Sequence, residues 1–280
     1  ENIITKGNAL YYMRKGELIK ITACAKNAIR FQGFPSCREE EENYTLMPMD
    51  MACDRQVFDS FAMVVNGDLA LKLNRDGSVS FWKNGEKLLE EQPEMTFDNE
   101  YRPCVSVGNS CWKTRVTFNP NENEHFYGLG HEPNNRFDLK GCSFDIRNIN
   151  AKCTIPYIYS SLGYGFLWNS PGTGSVDLSH NRTMWSSDAA RRIDYVVIAG
   201  SPAEVTATLA DLTGHAPVMP HWATGFWQCR LRYETQEELL AVARRYHKEG
   251  IPLAVIIADY FHWTEQGNYE FDPKYWPDVR

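Results

Sequence analysis

Along residues 66–89, NGDLALKLNRDGSVSFWKNGEKLL, apolar and polar side chains alternate in short runs. Asn66-Gly67, Asp76-Gly77 and Asn84-Gly85 punctuate those runs. Alternation with a period of two fits strands with one buried face, and Asn-Gly or Asp-Gly between such runs is the strongest local hairpin signal. The same rhythm returns in IPYIYSSLGYGFLWNS (155–170), with Gly163 and Gly165 expected at a turn between aromatic strands. Residues 192–214, RIDYVVIAGSPAEVTATLADLTG, predict a strand followed by a short helix that starts at Ser201-Pro202. Many short strands with regular turns predict a mainly β sandwich over residues 1–216.

After Pro217 and Pro220 the rhythm changes. HWATGFWQC (221–229) is expected to be a buried strand. Thr235 and Glu238 form the T-x-x-E pattern of a capping box. Leu239, Leu240, Ala243 and Tyr246 then recur at helical spacing, and Gly250 and Pro252 close the helix. The run LAVIIA (253–258) predicts a second strand, apolar on both faces, as a parallel strand covered on both sides would be. Residues 217–280 therefore hold a strand–helix–strand unit of a parallel sheet, either doubly wound or a (β/α)8 barrel.

That second strand ends at Asp259, followed by Tyr260, Phe261, His262 and Trp263. In either parallel architecture ligands bind at the carboxyl ends of the strands. Arg230 and Arg232 follow the preceding strand at the same end. Cations, a carboxylate and flat rings suit a sugar, which offers hydroxyls at its edge and C–H groups on its faces. Plainer roles stand beside this one: Asp259 as a turn cap, the rings as core, and the arginines as surface ion-pair partners.

The chain has 280 residues, 43% hydrophobic and 13% aromatic, with a formal net charge of −7. An acidic chain without a basic run argues against nucleic acid as a partner. No apolar stretch approaches the ~20 residues that cross a bilayer. The charge run CREEEENY (37–44) reads as a solvated loop. Eight cysteines include no C-x-x-C pair, and the seven histidines show no metal-ligand spacing, so no metal or cofactor is expected. Free thiols in a reducing compartment, hence the cytoplasm, are the default reading. Asn43-Tyr-Thr45 and Asn181-Arg-Thr183 fit the glycosylation triplet, which is common by chance. GTGS (172–175) reads as a turn and not a phosphate loop, since no lysine follows.

Five segments taken in order carry a resemblance. GFWQCRLRY (225–233), GIPLAVIIADYFHW (250–263) and FDPKYWPD (271–278) are similar to the start of the catalytic barrel of glycoside hydrolase family 31. FYGLGHEPNNRFDLKG (126–141) and the 155–170 segment resemble that family's N-terminal sandwich, which is galactose-mutarotase-like. The resemblance covers residues 120–278. It implies a retaining, exo-acting α-glycosidase in which one aspartate forms a glycosyl-enzyme and a second acts as acid and base. Both aspartates belong to later barrel strands, so none is expected before Arg280; the chain is expected to be part of a longer polypeptide and inactive alone. Asp272 and Asp278 read as loop punctuation.

What the resemblance implies for this chain is the floor of the sugar subsite. Asp259 matches the aspartate that binds hydroxyls of the non-reducing sugar. Tyr260 and Phe261 match positions around the sugar's C5 substituent, Arg232 one on the first barrel strand facing the same pocket, and Trp227 one packed in the barrel. DYFHWTEQG is nearest to members that release α-xylose, whose missing hydroxymethyl group leaves room for the Phe261 ring. His131 stands where many relatives have Glu or Gln after YGLG, and Asn148 and Asn150 stand in a short sandwich loop where many have aspartate. An α-xylosidase is the first expectation, with an α-glucosidase or an α-glucan lyase of the same fold as variants. A non-catalytic carbohydrate-binding sandwich is the rival. The expected partner is a small carbohydrate, with self-association into a homo-oligomer left open.

Overall fold

The computed structural model describes residues 3–14, 16–40, 43, 45–49, 51–94, 100–260 and 262–280. The chain divides into two compact units, Glu1–His215 and Ala216–Arg280.

The first unit is built from three antiparallel sheets. The largest has eight strands in the order Ile3–Lys6, Ala9–Arg14, Glu17–Ala25, Ala28–Phe34, Ile193–Ala199, Tyr164–Trp168, Cys153–Ser160 and Phe126–His131. A five-stranded sheet runs Cys104–Gly108, Cys111–Phe118, Thr183–Ala190, Gly174–Asp177 and Ser143–Ile146. The third is a meander of Asp54–Val57, Phe61–Asn66, Leu69–Asn74, Val79–Lys83 and Glu86–Glu90. The hairpin signals act as expected in this meander. Asn84 and Gly85 lie at φ 50° and 87°, the left-handed pair that a type I′ turn requires. At the hairpin between Phe61–Asn66 and Leu69–Asn74 the loop is Gly67-Asp68, and Asn66 is the last residue of its strand. Its side-chain amide donates to the carbonyls of Ala25 and Ala28 at 2.6 and 2.9 Å.

The core lies between the sheets because one face of each strand is apolar. Tyr195 sits at its centre, with ring centroids of Phe31 and Phe166 at 4.9 and 5.1 Å, and Trp185 of the facing sheet stacks on Phe166 at 5.1 Å. The strand Ile193–Ala199 is buried on both faces. Ile193, Tyr195 and Val197 enter this core, whereas Val196 and Ile198 pack with Val205 and Leu212 of the helix Pro202–Thr213. Ser201 caps that helix in a complete capping box with Glu204. Gly165 lies within a strand and not at the expected turn. A Cβ there would stand 2.4 Å from Val205 Cγ1, so glycine lets the helix close on the sheet.

A buried charge cluster crosses this core. The Arg102 guanidinium donates to both Glu17 oxygens at 2.9 Å, to Glu91 Oε2 and to the Gly77 carbonyl. Glu91 Oε2 also accepts the Val79 amide at 3.0 Å, and Glu91 Oε1 the Tyr195 hydroxyl at 3.3 Å. Burial pushes the Glu91 carboxyl up to about 7, because two carboxylates share one guanidinium away from water.

Other expectations need correction here. The run 37–44 is not simply solvated: Glu39 bonds Lys20 and the Tyr11 hydroxyl, and Glu40 pairs with Arg191 at 3.7 Å. Glu41, Glu42 and Tyr44 of that run lie outside the described residues. In GTGS, Gly174 and Ser175 belong to a strand. The eight cysteines are free thiols.

The second unit contains the predicted strand–helix–strand, in shortened form. Residues 221–229 are not one strand: His221–Thr224 is a 3₁₀ turn after Pro220, and only Trp227–Cys229 is extended. The second strand is Val255–Ile257, parallel to the first, with Trp227, Gln228 and Cys229 opposite Val255, Ile256 and Ile257. Its side chains are half-buried, not enclosed as those of a strand covered on both faces would be. The helix Gln236–Lys248 ends in a Schellman motif at Gly250, φ 70°, where the Ile251 and Gly250 amides donate to Tyr246 and His247 carbonyls.

Candidate functional site

The parallel pair and its helix are joined by polar contacts that an apolar-face reading does not foresee. Gln228 on the first strand donates to the Tyr233 hydroxyl at 3.1 Å and accepts the Tyr246 hydroxyl of the helix at 2.8 Å. The Phe226 ring lies 5.7 Å from that of Tyr246. Both strands therefore end in a fixed register at one edge, which places Arg232 and Asp259 beyond the same carboxyl ends.

Asp259 comes two residues after Ile257 and is half-buried. Among the described residues its side chain has no hydrogen-bond or ion-pair partner. It does not cap the following turn, which is closed by the Trp263 amide on the Tyr260 carbonyl at 3.3 Å. A half-buried carboxylate without an internal partner is available to a ligand, and a charged acceptor facing a ligand hydroxyl contributes ~1.5–3 kcal/mol. Tyr260 is 43% exposed, at the edge of this end, with its ring 5.8 Å from that of Trp263. Its φ is 67°, and Leu231 after the other strand has φ 66°. Two non-glycine residues in the left-handed region at both strand ends mark sharp exits from the strand direction. Phe261 lies outside the described residues.

The crowding of rings after Asp259 has two components. Tyr260 is at the surface, whereas His262 is 8% exposed and packs 4.7 Å from Phe271, with Trp276 at 6.3 Å. The bridge Trp263–Phe271 and the Asp272 amide on the His262 carbonyl fold 271–278 back onto the strand end. Tyr275 and Gln236 then join that segment to the first turn of the helix, Gln236 N–H donating to the Tyr275 carbonyl at 2.9 Å. His262 and Trp276 are thus a small local core, and Asp272 and Asp278 serve turns by accepting the Lys274 and Arg280 amides. Trp227 is 44% exposed and stacks on Trp222 at 5.7 Å.

The two arginines separate. Arg230 Nη1 pairs with Glu238 Oε1 at 2.5 Å, the plainer of its two readings. Arg232 is exposed at the middle of the loop between strand and helix. The capping box at Thr235 is only half formed. Thr235 Oγ1 accepts the Glu238 amide at 3.2 Å, but Glu238 returns its carboxylate to the Glu234 amide at 2.9 Å and to Arg230. Sequence reasoning missed Glu238, Gln228 and Tyr233 as organisers of this edge. The available signal was Arg230 lying eight residues before Glu238, in the first turn of the helix.

In the sandwich loop, Asn148 is occupied, its side-chain oxygen taking the Thr154 amide at 2.7 Å, while Asn150 and His131 are exposed. No group of three or more metal-ligating side chains occurs among the described residues, and none of their helices is long and apolar enough to cross a membrane.

Residues 216–280 match the glycosyl hydrolases family 31 TIM-barrel domain. A protein of Pseudescherichia vulneris named as an uncharacterized family 31 glucosidase is 32% identical over 99% of this chain and 56% of its own length. α-Xylosidase A of Aspergillus niger is 28% identical over 76% of this chain and 31% of its own. The crystal structure of a family 31 α-xylosidase from a soil metagenome, complexed with xylose, superposes with a TM-score of 0.92 at 32% identity. That likeness covers 99% of this chain and 44% of the xylosidase. The chain thus spans about half the length, or less, of the relatives it matches.

Proposed function

We propose that this chain, which belongs to glycoside hydrolase family 31, is the N-terminal sandwich (1–216) and barrel start (217–280) of a retaining, exo-acting α-glycosidase that releases α-xylose. The carrying observation is Asp259: a half-buried carboxylate at the carboxyl end of a barrel strand, without an internal partner among the described residues. In this reading Asp259 accepts hydroxyls of the non-reducing sugar. Tyr260 offers an apolar face, Arg232 a cation, and Phe261 fills the space a hydroxymethyl group would need. The nucleophile and the acid/base are aspartates of later barrel strands. They form and hydrolyse the glycosyl-enzyme, while the residues of this chain bind and orient the sugar. A cytoplasmic location and a small carbohydrate as partner belong to the same proposal.

The likeness to the xylose-bound α-xylosidase at 32% identity supports xylose as the sugar. The equally similar glucosidase-named relative supports α-glucosidase as the second reading. A binding sandwich without catalysis is disfavoured by the barrel-domain match over 216–280. The test is paired kcat/KM on aryl α-xyloside and α-glucoside for the full-length enzyme and its Phe261→Ala variant. The variant is expected to shift the ratio towards glucoside by ~10–200-fold, the range for one small substituent in a shaped pocket. An unchanged ratio removes the support for xylose.

A further inference from the structure

Arg232 sits on a loop whose two flanks are fastened to one carboxylate. On the upstream side Arg230 Nη1 meets Glu238 Oε1 at 2.5 Å. On the downstream side the Glu234 amide meets Glu238 Oε2 at 2.9 Å. Glu238 is itself held, because its own amide donates to Thr235 Oγ1 at the start of the helix. Next to Arg232 the buried Tyr233 is pinned by Gln228, and the Leu231 amide turns back onto Cys229 Sγ at 3.4 Å with φ 66°. The loop is therefore closed on both sides of a single residue. A charge pair as exposed as Arg230–Glu238 adds little to stability, so its consequence is geometric.

We propose that Glu238 is a positioning residue for the sugar subsite: its carboxylate clamps both flanks of the Arg232 loop to the helix and sets where the guanidinium stands. This rests on the reading of Arg232 as a substrate-binding residue. Glutamine at 238 keeps an acceptor for the Glu234 amide and removes the charge that holds Arg230, so the loop loses one flank while the helix keeps its cap.

The experiment uses the full-length enzyme with an aryl α-xyloside and the variants Glu238→Gln, Arg232→Ala, their double, and Thr235→Ala. Glu238→Gln is expected to raise KM by roughly 10-fold, the loss of one well-placed charged hydrogen bond, and to leave kcat unaltered. In the Arg232→Ala background the same change is expected to do nothing, because the residue it positions is gone. Thr235→Ala removes the acceptor of the Glu238 amide but neither contact of its carboxylate; it is expected to lower the melting temperature and to raise KM less than Glu238→Gln does. A Glu238→Gln variant with wild-type KM, an effect that persists without Arg232, or an equal KM rise in Thr235→Ala would each overturn the proposal. If Arg232→Ala itself leaves KM unchanged, the reading of Arg232 falls and takes the clamp with it. If only Glu238→Gln is silent, the clamp alone falls.

Discussion

The two units treat the same kinds of residue in opposite ways. In the sandwich, Tyr195, Phe166 and Trp185 are fully enclosed, each ring within about stacking distance of another. In 216–280, Trp222, Trp227, Phe226 and Tyr260 all remain exposed by 43% or more. The difference follows from how each fold covers its strands. Antiparallel sheets of one unit face each other and supply their own second layer. A parallel strand needs cover on both faces, and the second unit provides one helix. The rings of the sandwich are thus enclosed by sheets of their own unit, whereas those of 216–280 belong to a strand–helix–strand that leaves them exposed.

Five substitutions test this division. The largest effect is expected from Tyr195→Ala, which empties the centre of the aromatic core and should destabilise the chain by ~3–5 kcal/mol in denaturant unfolding. A loss below 1 kcal/mol would mean that the enclosed rings are not what holds the sandwich. Asp259→Ala should behave in the reverse manner. In the full-length enzyme kcat/KM is expected to fall by ~10–200-fold with the unfolding midpoint unchanged. Wild-type kinetics combined with lost stability would place Asp259 with the structural residues.

The buried cluster around Glu91 gives the sandwich a pH dependence. Its carboxyl is raised from 4.5 to about 7 by burial, against the pull of Arg102. The folded state therefore holds the proton more tightly than the unfolded chain. That contribution is complete below about 4.5 and is lost as pH rises through about 7. Stability is expected to decline across that window by an amount on the order of 1–3 kcal/mol. Glu91→Gln should flatten the decline, as read from unfolding curves at pH 5, 6, 7 and 8 buffers. A slope that survives in the variant would assign the dependence to another group.

The smallest effect compares the two helix starts. Ser201 caps through a complete box and Thr235 through half of one. Ser201→Ala is expected to destabilise the sandwich by ~1 kcal/mol. Thr235→Ala should do less to global unfolding, because the helix it caps is only half-buried. An equal loss from both would show that the second unit unfolds together with the first.

Much of this was legible in the residues because the signals are local. Asn84-Gly85 can form a type I′ turn from its own backbone preferences, and Ser201-Pro202 and Gly250 set helix ends within one turn of themselves. The parallel strand leading to Asp259 was equally readable from LAVIIA followed by a carboxylate. The five motifs in order were sufficient for the family. Such features need no knowledge of what lies across the fold.

What the tertiary structure decided were partnerships between distant residues. Nothing in the sequence couples Arg102 to Glu17 and Glu91, since each is an ordinary surface residue type until the sheets bring them together without water. The same holds for Glu238, which local pattern assigns to Thr235 but which Arg230 and Glu234 claim in the folded loop. The rings after Asp259 also divided only in three dimensions: His262 turns inward onto Phe271 and Trp276, while Tyr260, with its left-handed backbone, stays at the surface. Side-chain chemistry fixes which contacts a residue is able to make. Chain topology fixes which of them are within reach, and burial decides which of those a charge or a ring is compelled to keep.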